Sequence, residues 1–403
     1  MNMSVANKLL NHLSRRTTSG QFIPEIDGLR FASIALVVAF HLSGYTVGKS
    51  TVRQLPNYAN SLVERITATG HYGVELFFII SGFVLALPFA RHYMREEPAP
   101  QLRAYYLRRL TRLEPPYIVA MLLVFVVATG FFGASARFLW AHLLASLVYV
   151  HNLVYGVPSA VNVVAWSLEV EVQFYLLAPP LACVFAIRRK SGRRLAILAG
   201  IVSAILIQRY TIAVDSRLSL TLLNYYQYFL LGFLVADFYL SEWSTPSTHQ
   251  GSWDAIGVFA WVAMALVWMR VPRPLVLFPV LAFMVFCATF RGRVLRAAFR
   301  NRWIATIGGM CYTIYLLHYP LISAIGRHTV RIAANDGPAL HVLVQAGIVL
   351  PLLLVVSVLF FVTIERPCMR KDWPQHFAAA IRSASWARTR QIVPGLMRSL
   401  WRA

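Results

Sequence analysis

Apolar positions in this 403-residue chain fall into long runs, at about 29–48, 71–90, 115–133, 138–154, 166–187, 195–213, 219–240, 254–269, 274–290, 303–325 and 339–364. A helix needs about 20 apolar residues to cross a hydrocarbon layer of roughly 30 Å, so each run is a candidate membrane span. The run at 138–154 differs from the rest because His142, His151 and Asn152 interrupt it. Counting it as a crossing would move the basic stretch Arg188–Arg194 out of the cytoplasm, against the positive-inside rule. The pattern therefore predicts an all-α integral membrane protein, a bundle of about ten transmembrane helices plus one interfacial or re-entrant segment. Both termini are then cytoplasmic, and the basic loops Arg91–Arg112, Arg188–Arg194 and Arg291–Arg302 lie on the same side as the tail after Arg366. No internal repeat is evident, so an inverted-repeat transporter architecture is not indicated.

Composition agrees with the membrane reading: 58% of residues are hydrophobic and 13% charged, and mean hydropathy is +0.59. The chain divides into a cytoplasmic N-terminal segment (1–24), one transmembrane domain (25–368) and a basic amphipathic cytoplasmic tail (369–403). In the tail, arginines interleave with Trp386, Ile392, Leu396, Leu400 and Trp401, a pattern suited to an anionic leaflet or to a disordered basic extension. The first run lacks a cleavage pattern and is expected to be retained. A net charge of +22 raises nucleic acid as a partner. Its confinement to loops and tail points to the lipid bilayer instead, with no nucleic acid. Cys183, Cys287, Cys311 and Cys368 show no paired spacing, so neither a disulfide nor a thiolate-bound metal is expected.

Ionisable groups inside apolar runs are costly and usually functional. Arg30 and His41 bracket the first run, roughly 16 Å apart along a helix. A neutral imidazole can take a hydroxyl proton near neutral pH, which makes His41 a candidate general base, against the alternative of a packed histidine. Arg30, Arg108, Arg109 and Arg112 form a basic set suited to anionic phosphates, with Arg108 and Arg112 sharing a helical face at i, i+4, although positive-inside bias also explains them. Glu75 and Glu171 each lie a few residues inside the outer face in the ten-helix topology, at the expected level of His41, where a carboxylate can orient an imidazole or bind hydroxyls. Trp166, Tyr175, Tyr315 and His318 are acceptor-binding or supporting candidates, with interface-belt aromatics and helix packing as the competing explanations. Ser81-Gly82 reads as a helix-packing pair, and no Gly-x-Ser-x-Gly elbow supports a serine nucleophile.

The motifs in their order resemble the membrane-bound acyltransferase 3 family. Asp27-Gly28-Leu29-Arg30 is followed by His41, then Gly73-Val74-Glu75-Leu76-Phe77-Phe78-Ile79-Ile80-Ser81-Gly82-Phe83 and Arg108-Arg109-Leu110-Thr111-Arg112-Leu113-Glu114-Pro115. Trp166-Ser167-Leu168-Glu169-Val170-Glu171-Val172-Gln173-Phe174-Tyr175 comes next, with Glu169 at the family's variable position, and Tyr312-Thr313-Ile314-Tyr315-Leu316-Leu317-His318 and Glu365-Arg366-Pro367 close the series. The resemblance covers about residues 24–368 and implies a bacterial inner-membrane, multi-pass O-acyltransferase of the stand-alone type, without a fused esterase-like domain. It implies acyl-CoA as donor, most often acetyl-CoA, and an extracytoplasmic glycan or small hydroxylated acceptor, with no metal. Transfer directly to the acceptor and transfer through an acyl-His41 both remain open. Neither HExxH nor the His-x4-Asp acyltransferase motif is present, since Thr46 and Ser323 stand five positions after His41 and His318. A proton-coupled transporter or flippase, and a non-catalytic scaffold, are the other readings.

Overall fold

The computed structural model describes residues 10, 11, 13–15, 22–49, 61–214, 216–243, 247–270, 276–370, 373 and 375. Most of the expected tail at 369–403, and part of the N-terminal segment, lie outside them. The first described long helix, α1 (Pro24–Lys49), opens on a proline, whose fixed φ suits the first helical position, and carries Glu25 and Asp27 in its first turn. A short α2 (Leu62–Ala68), capped by Ser61, leads through a 3-10 turn at Thr69–His71 into α3 (Tyr72–Arg95). Then come α4 (Leu102–Gly130), α5 (Ala136–Leu147), α6 (His151–Tyr155) and α7 (Trp166–Leu181). The chain continues through α8 (Lys190–Val214), α9 (Leu222–Ser241), α10 (Gln250–Arg270), α11 (Leu277–Arg291), α12 (Val294–Phe299) and α13 (Arg302–Gly309). It ends with α14 (Cys311–Thr329) and α15 (Pro338–Phe360), the latter running into a π-helical turn at Phe361–Glu365. No strand occurs among the described residues.

Among the described residues eight helical stretches are long and apolar enough to cross a membrane. Two further spans expected from the sequence correspond to α11, apolar but only 15 residues long, and to α14, whose His318, Arg327 and tyrosines dilute its 19 residues. Large apolar side chains such as Leu195, Val258, Leu343 and Leu359 stay exposed on the outside of the bundle, as lipid-facing positions require. The protein is an all-α membrane protein.

The interrupted run becomes α5 and α6. Twelve residues of α5 rise about 18 Å, too short to cross. Tyr117, midway along α4, donates its hydroxyl to the Ser146 carbonyl at 3.0 Å and stacks on Tyr149, so α5 dips part-way into the bundle and stops there. The following loop stays inside: Asn162 donates to the Leu316 carbonyl of α14 at 2.9 Å. Consequently α7 begins at the level of Tyr315, not at the bundle's outer rim.

Glycines set the closest crossings. Gly82 of α3 lies against the Phe229 backbone and Gly232 of α9 against Ile79 and Phe83, contacts that leave no room for a Cβ on either helix. Gly308 seats α13 on the Asp27 carbonyl, and Gly326 seats α14 on the Tyr45 ring. These two contacts fix α1 and α14 side by side and parallel, with Asp27 at one end of the pair and Tyr45 near the other.

Candidate functional site

At the N-terminal end of α1 the fully buried Asp27 forms ion pairs with Arg30 at 2.6 Å and Arg15 at 3.0 Å. Burial and the neighbouring Arg30 push the Arg15 pKa down to about 9, which leaves it charged at neutral pH. Arg112 of α4 stands within electrostatic range of both Arg30 and Glu365. Glu365, also buried, accepts the Thr313 backbone N–H at 3.2 Å and the Thr313 hydroxyl, placing a carboxylate at the N-terminus of α14, where the helix dipole favours it. Arg109 lies over the rings of Tyr105 (4.6 Å) and Tyr175 (5.2 Å), a cation–π arrangement.

Arg108 does not join this group. It is exposed and donates to its own helix at the Ala104 carbonyl, 2.9 Å away. Buried Tyr105 fixes the rotation of α4, so the inward stripe runs 105, 109, 112, and position 108 falls about 40° beyond its edge at Arg112, on the exposed side. The i, i+4 pairing of Arg108 with Arg112 expected from spacing is therefore corrected to Arg109 with Arg112.

Beside Arg109 a groove of about 430 Å³ opens between α4 and α7, walled by Leu107, Leu110, Leu113, Leu168, Val172 and Leu176 and ending at Tyr149 and Tyr312. Arg103 and Arg109 are its cations, Glu114 and Glu171 its carboxylates. Glu171 accepts the Ser81 hydroxyl and is hydrogen-bonded by Tyr175. Two sequence expectations change here. Glu171 stands at the arginine end of the bundle, not at the level of His41, because the re-entry of α5 lowers the start of α7. Tyr175, expected among acceptor-side groups, accompanies it.

His41 is found against His318. Their ring centroids lie 5.1 Å apart, with Tyr319 at 5.1 Å and Phe40 at 4.9 Å completing the surroundings of His41. The His318 Nδ1 lies 2.7 Å from the Tyr315 carbonyl, which only accepts, so Nδ1 carries the hydrogen and Nε2 is bare. That Nε2 is buried without a hydrogen-bond partner. His318 is wholly enclosed, whereas His41 keeps partial exposure and is the member of the pair a substrate can reach. Tyr315, one turn earlier on α14, donates to the Val164 carbonyl at 3.0 Å and receives the Ser167 hydroxyl at 2.6 Å, latching α7 to α14. Along α14, Tyr312 in the groove, Tyr315 and His318 make a stripe, roughly 9 Å long, that joins the groove to the histidine pair.

Glu75 lies among His71, Tyr72, Tyr225, Tyr228 and Tyr315. Its Oε2 is buried without a hydrogen bond. Tyr315 links it to the histidine pair, through the 5.6 Å contact of Tyr315 with His318. Trp166 packs on Tyr225 (5.3 Å) and Phe78 (6.4 Å), an interior position rather than an interface belt. Sequence reasoning gave no role to Asp27, Glu365 or Arg15. The signal for the first was present, an acid three residues before Arg30, and for the second an acid closing an apolar run. Nothing in the sequence marked Arg15. Glu169, set aside earlier, accepts the Asn152 backbone N–H at 2.7 Å and so ties α6 to α7. Among the described residues no three His, Cys, Asp or Glu side chains gather to hold a metal.

Comparison with known proteins bears on this arrangement. The profile of the acyltransferase domain matches residues 23–364. The peptidoglycan O-acetyltransferase OatA of Listeria monocytogenes is 29% identical over 184 residues, covering 42% of this chain and 26% of that protein. The O-acetyltransferase OatA of Staphylococcus aureus is 23% identical over 345 residues, covering 78% of this chain and 53% of its own length. The chain thus spans about half or less of the relatives it matches. No solved structure matches it. With the domain profile covering most of the chain and the motifs assembled around one helical core, the chain belongs to the membrane-bound acyltransferase 3 family.

Proposed function

We propose that the protein is an inner-membrane O-acyltransferase that moves an acyl group, acetyl first among candidates, from cytoplasmic acyl-CoA to a hydroxyl of an extracytoplasmic glycan or other hydroxylated acceptor. The observation that carries this reading is the histidine pair, one ring accessible and one enclosed, standing part-way along α1 beyond a cluster of buried guanidiniums. The listerial and staphylococcal relatives, named as O-acetyltransferases, agree with it. The alternation of basic loops supports the orientation with both termini cytoplasmic.

In this reading Arg30, Arg109 and Arg112 receive the phosphates of the donor, whose flexible pantetheine arm follows the apolar groove past Tyr312 toward His41. The His41 imidazole takes the proton of the acceptor hydroxyl as its oxygen attacks the thioester carbonyl. Collapse of the tetrahedral adduct breaks the carbon–sulfur bond. The thiolate of coenzyme A leaves and recovers the proton from His41, so the base is regenerated each turn. The bare Nε2 of His318 faces the charge that His41 acquires and steadies it. Glu75 and Trp166 serve the acceptor, while Glu171 and Tyr175 act at the donor groove.

The test is thiol release from acetyl-CoA by purified protein, with and without a cell-envelope glycan fraction, wild type beside His41→Gln. Release that requires both His41 and acceptor is expected. No release from folded protein, together with proton-dependent solute flux in vesicles, would replace the enzyme with a transporter.

A further inference from the structure

A second cavity, of about 510 Å³, lies at the end of α1 remote from Arg30. Tyr45 and Ser323 are half-buried and form its floor, the Tyr45 hydroxyl donating to the Ser323 carbonyl at 3.3 Å. Lys49, Arg327 and Arg331 are exposed and form its rim. Among the described residues no carboxylate lines it, and none of these three cations forms an ion pair. Arg327 is held in place: its guanidinium sits 3.6 Å over the Phe132 ring. Three uncompensated cations around one cavity repel one another, and an anion relieves that repulsion while satisfying N–H donors that are otherwise left to solvent.

The position of this cavity connects it to the histidines. Tyr45 and Lys49 follow His41 at one and two turns on α1, about 6 Å and 12 Å further along. Ser323 and Arg327 follow His318 on the parallel α14. The cavity therefore lies one to two turns beyond the His41–His318 pair, on the side opposite the donor groove.

We propose that this cavity binds an anionic group, phosphate or carboxylate, of the acceptor itself, and that its natural acceptor is an acidic rather than a neutral glycan. The inference rests on the acyltransferase reading and deepens it. An anionic substituent held by Lys49, Arg327 and Arg331 leaves the neighbouring sugar to pass Tyr45 and bring a hydroxyl to His41, one to two sugar units deeper. A lipid headgroup shares the anionic chemistry, but the cavity floor is hydroxyl-bearing and lies one turn along α1 from His41, which suits a sugar and not an acyl chain.

The experiment uses the full chain in phosphatidylcholine nanodiscs with coenzyme A at saturation to occupy the other arginines. Inorganic pyrophosphate binding is measured by calorimetry for wild type and for Arg327→Gln/Arg331→Gln, both positions being exposed and outside the core. Envelope oligosaccharides separated by anion exchange then serve as acidic and neutral acceptors. The double variant is expected to bind pyrophosphate about tenfold or more weakly. It should also raise KM for the acidic pool by a similar factor, with kcat and the neutral pool unchanged. Equal pyrophosphate affinity in the two proteins overturns the proposal. So does displacement of pyrophosphate by phosphatidylglycerol in the discs with the acidic-to-neutral preference unaltered, which would make this a lipid site. Pyrophosphate binding that depends on the two arginines in a protein releasing no thiol from acyl-CoA would keep the anion site and remove the transferase.

Discussion

Along α1, two clusters of cations stand in opposite electrostatic settings. At the Asp27 end, Arg15 and Arg30 are nearly enclosed, with 12% and 14% of their side chains exposed, and share a carboxylate that has no exposure at all. Nearby, Glu365 stands within electrostatic range of Arg112. At the Lys49 end, Lys49, Arg327 and Arg331 are exposed and no carboxylate of the described residues stands among them. Burial explains the contrast. A guanidinium removed from water is tolerated only beside a countercharge, whereas an exposed one is solvated and can remain unpaired until a ligand arrives. The first end is thus part of the structure as well as of the site, and the second is available to recognition alone.

The sharpest way to break this comparison is Asp27→Asn, which strands two buried guanidiniums. Removing one partner of a buried pair costs about 3–5 kcal/mol, so a large fall in melting temperature in detergent is expected. Lys49→Gln at the other end should change stability by no more than about 0.5 kcal/mol. Comparable losses in both melts would show that the two ends are not electrostatically distinct.

Between the ends, His41→Gln should lower acyl transfer by about 10²–10⁴-fold with the melt preserved, the contribution general base catalysis makes. His318→Gln, acting through His41, should cost about tenfold, near 1.4 kcal/mol. Equal losses at both positions, measured in one transfer assay, would mean that His318 also meets the substrate.

Arg109 is the test of the groove. It stacks on tyrosines instead of pairing with a carboxylate, so Arg109→Gln should leave the fold intact and raise KM for acetyl-CoA about tenfold or more, the loss of one charged hydrogen bond worth roughly 1.5–3 kcal/mol. A change confined to the acceptor KM would detach the groove from the donor.

The smallest effects concern backbone contact. Gly308 touches the Asp27 carbonyl, whereas Gly48, on α1 near Lys49, has nothing within 4 Å of an added Cβ. Gly308→Ala should destabilise by about 1–3 kcal/mol through overpacking. Gly48→Ala should be neutral or stabilising by about 0.4–1 kcal/mol, since alanine restricts the unfolded chain. The two melts, measured side by side, check whether close packing as well as charge separates the ends.

Much of this was readable in advance. The apolar runs gave most helices to within about five residues, although α4 starts thirteen residues before its run and the run at 303–325 is divided between α13 and α14, because a lipid solvent forces each span to satisfy its own backbone and so to appear as a continuous segment. The polar interruptions at His142, His151 and Asn152 marked the run that becomes the two short helices α5 and α6. His41 and Arg30 stood out because ionisable groups in apolar sequence are costly. Glu171 was assigned to the wrong end for a definite reason: depth was counted from Trp166 as though α7 started at the rim, and only the Asn162 and Tyr315 hydrogen bonds reveal that it starts inside. The i, i+4 spacing of Arg108 and Arg112 defines a shared face without saying which way that face points, and only the packing of Tyr105 decides it.

The sequence by itself determined that this is a helical membrane protein with its charge gathered in loops and tail, and it marked most of the polar residues that matter, because hydrophobic period and buried charge are local properties of the chain. Only the tertiary structure decided which of those residues meet. His41 finds His318, and Asp27 joins Arg15 to Arg30, through close helix approaches at Gly308 and Gly326 that carry no mark in the hydropathy pattern. Contact between residues distant in the chain depends on helix rotation and relative depth, and those are set by packing rather than by composition.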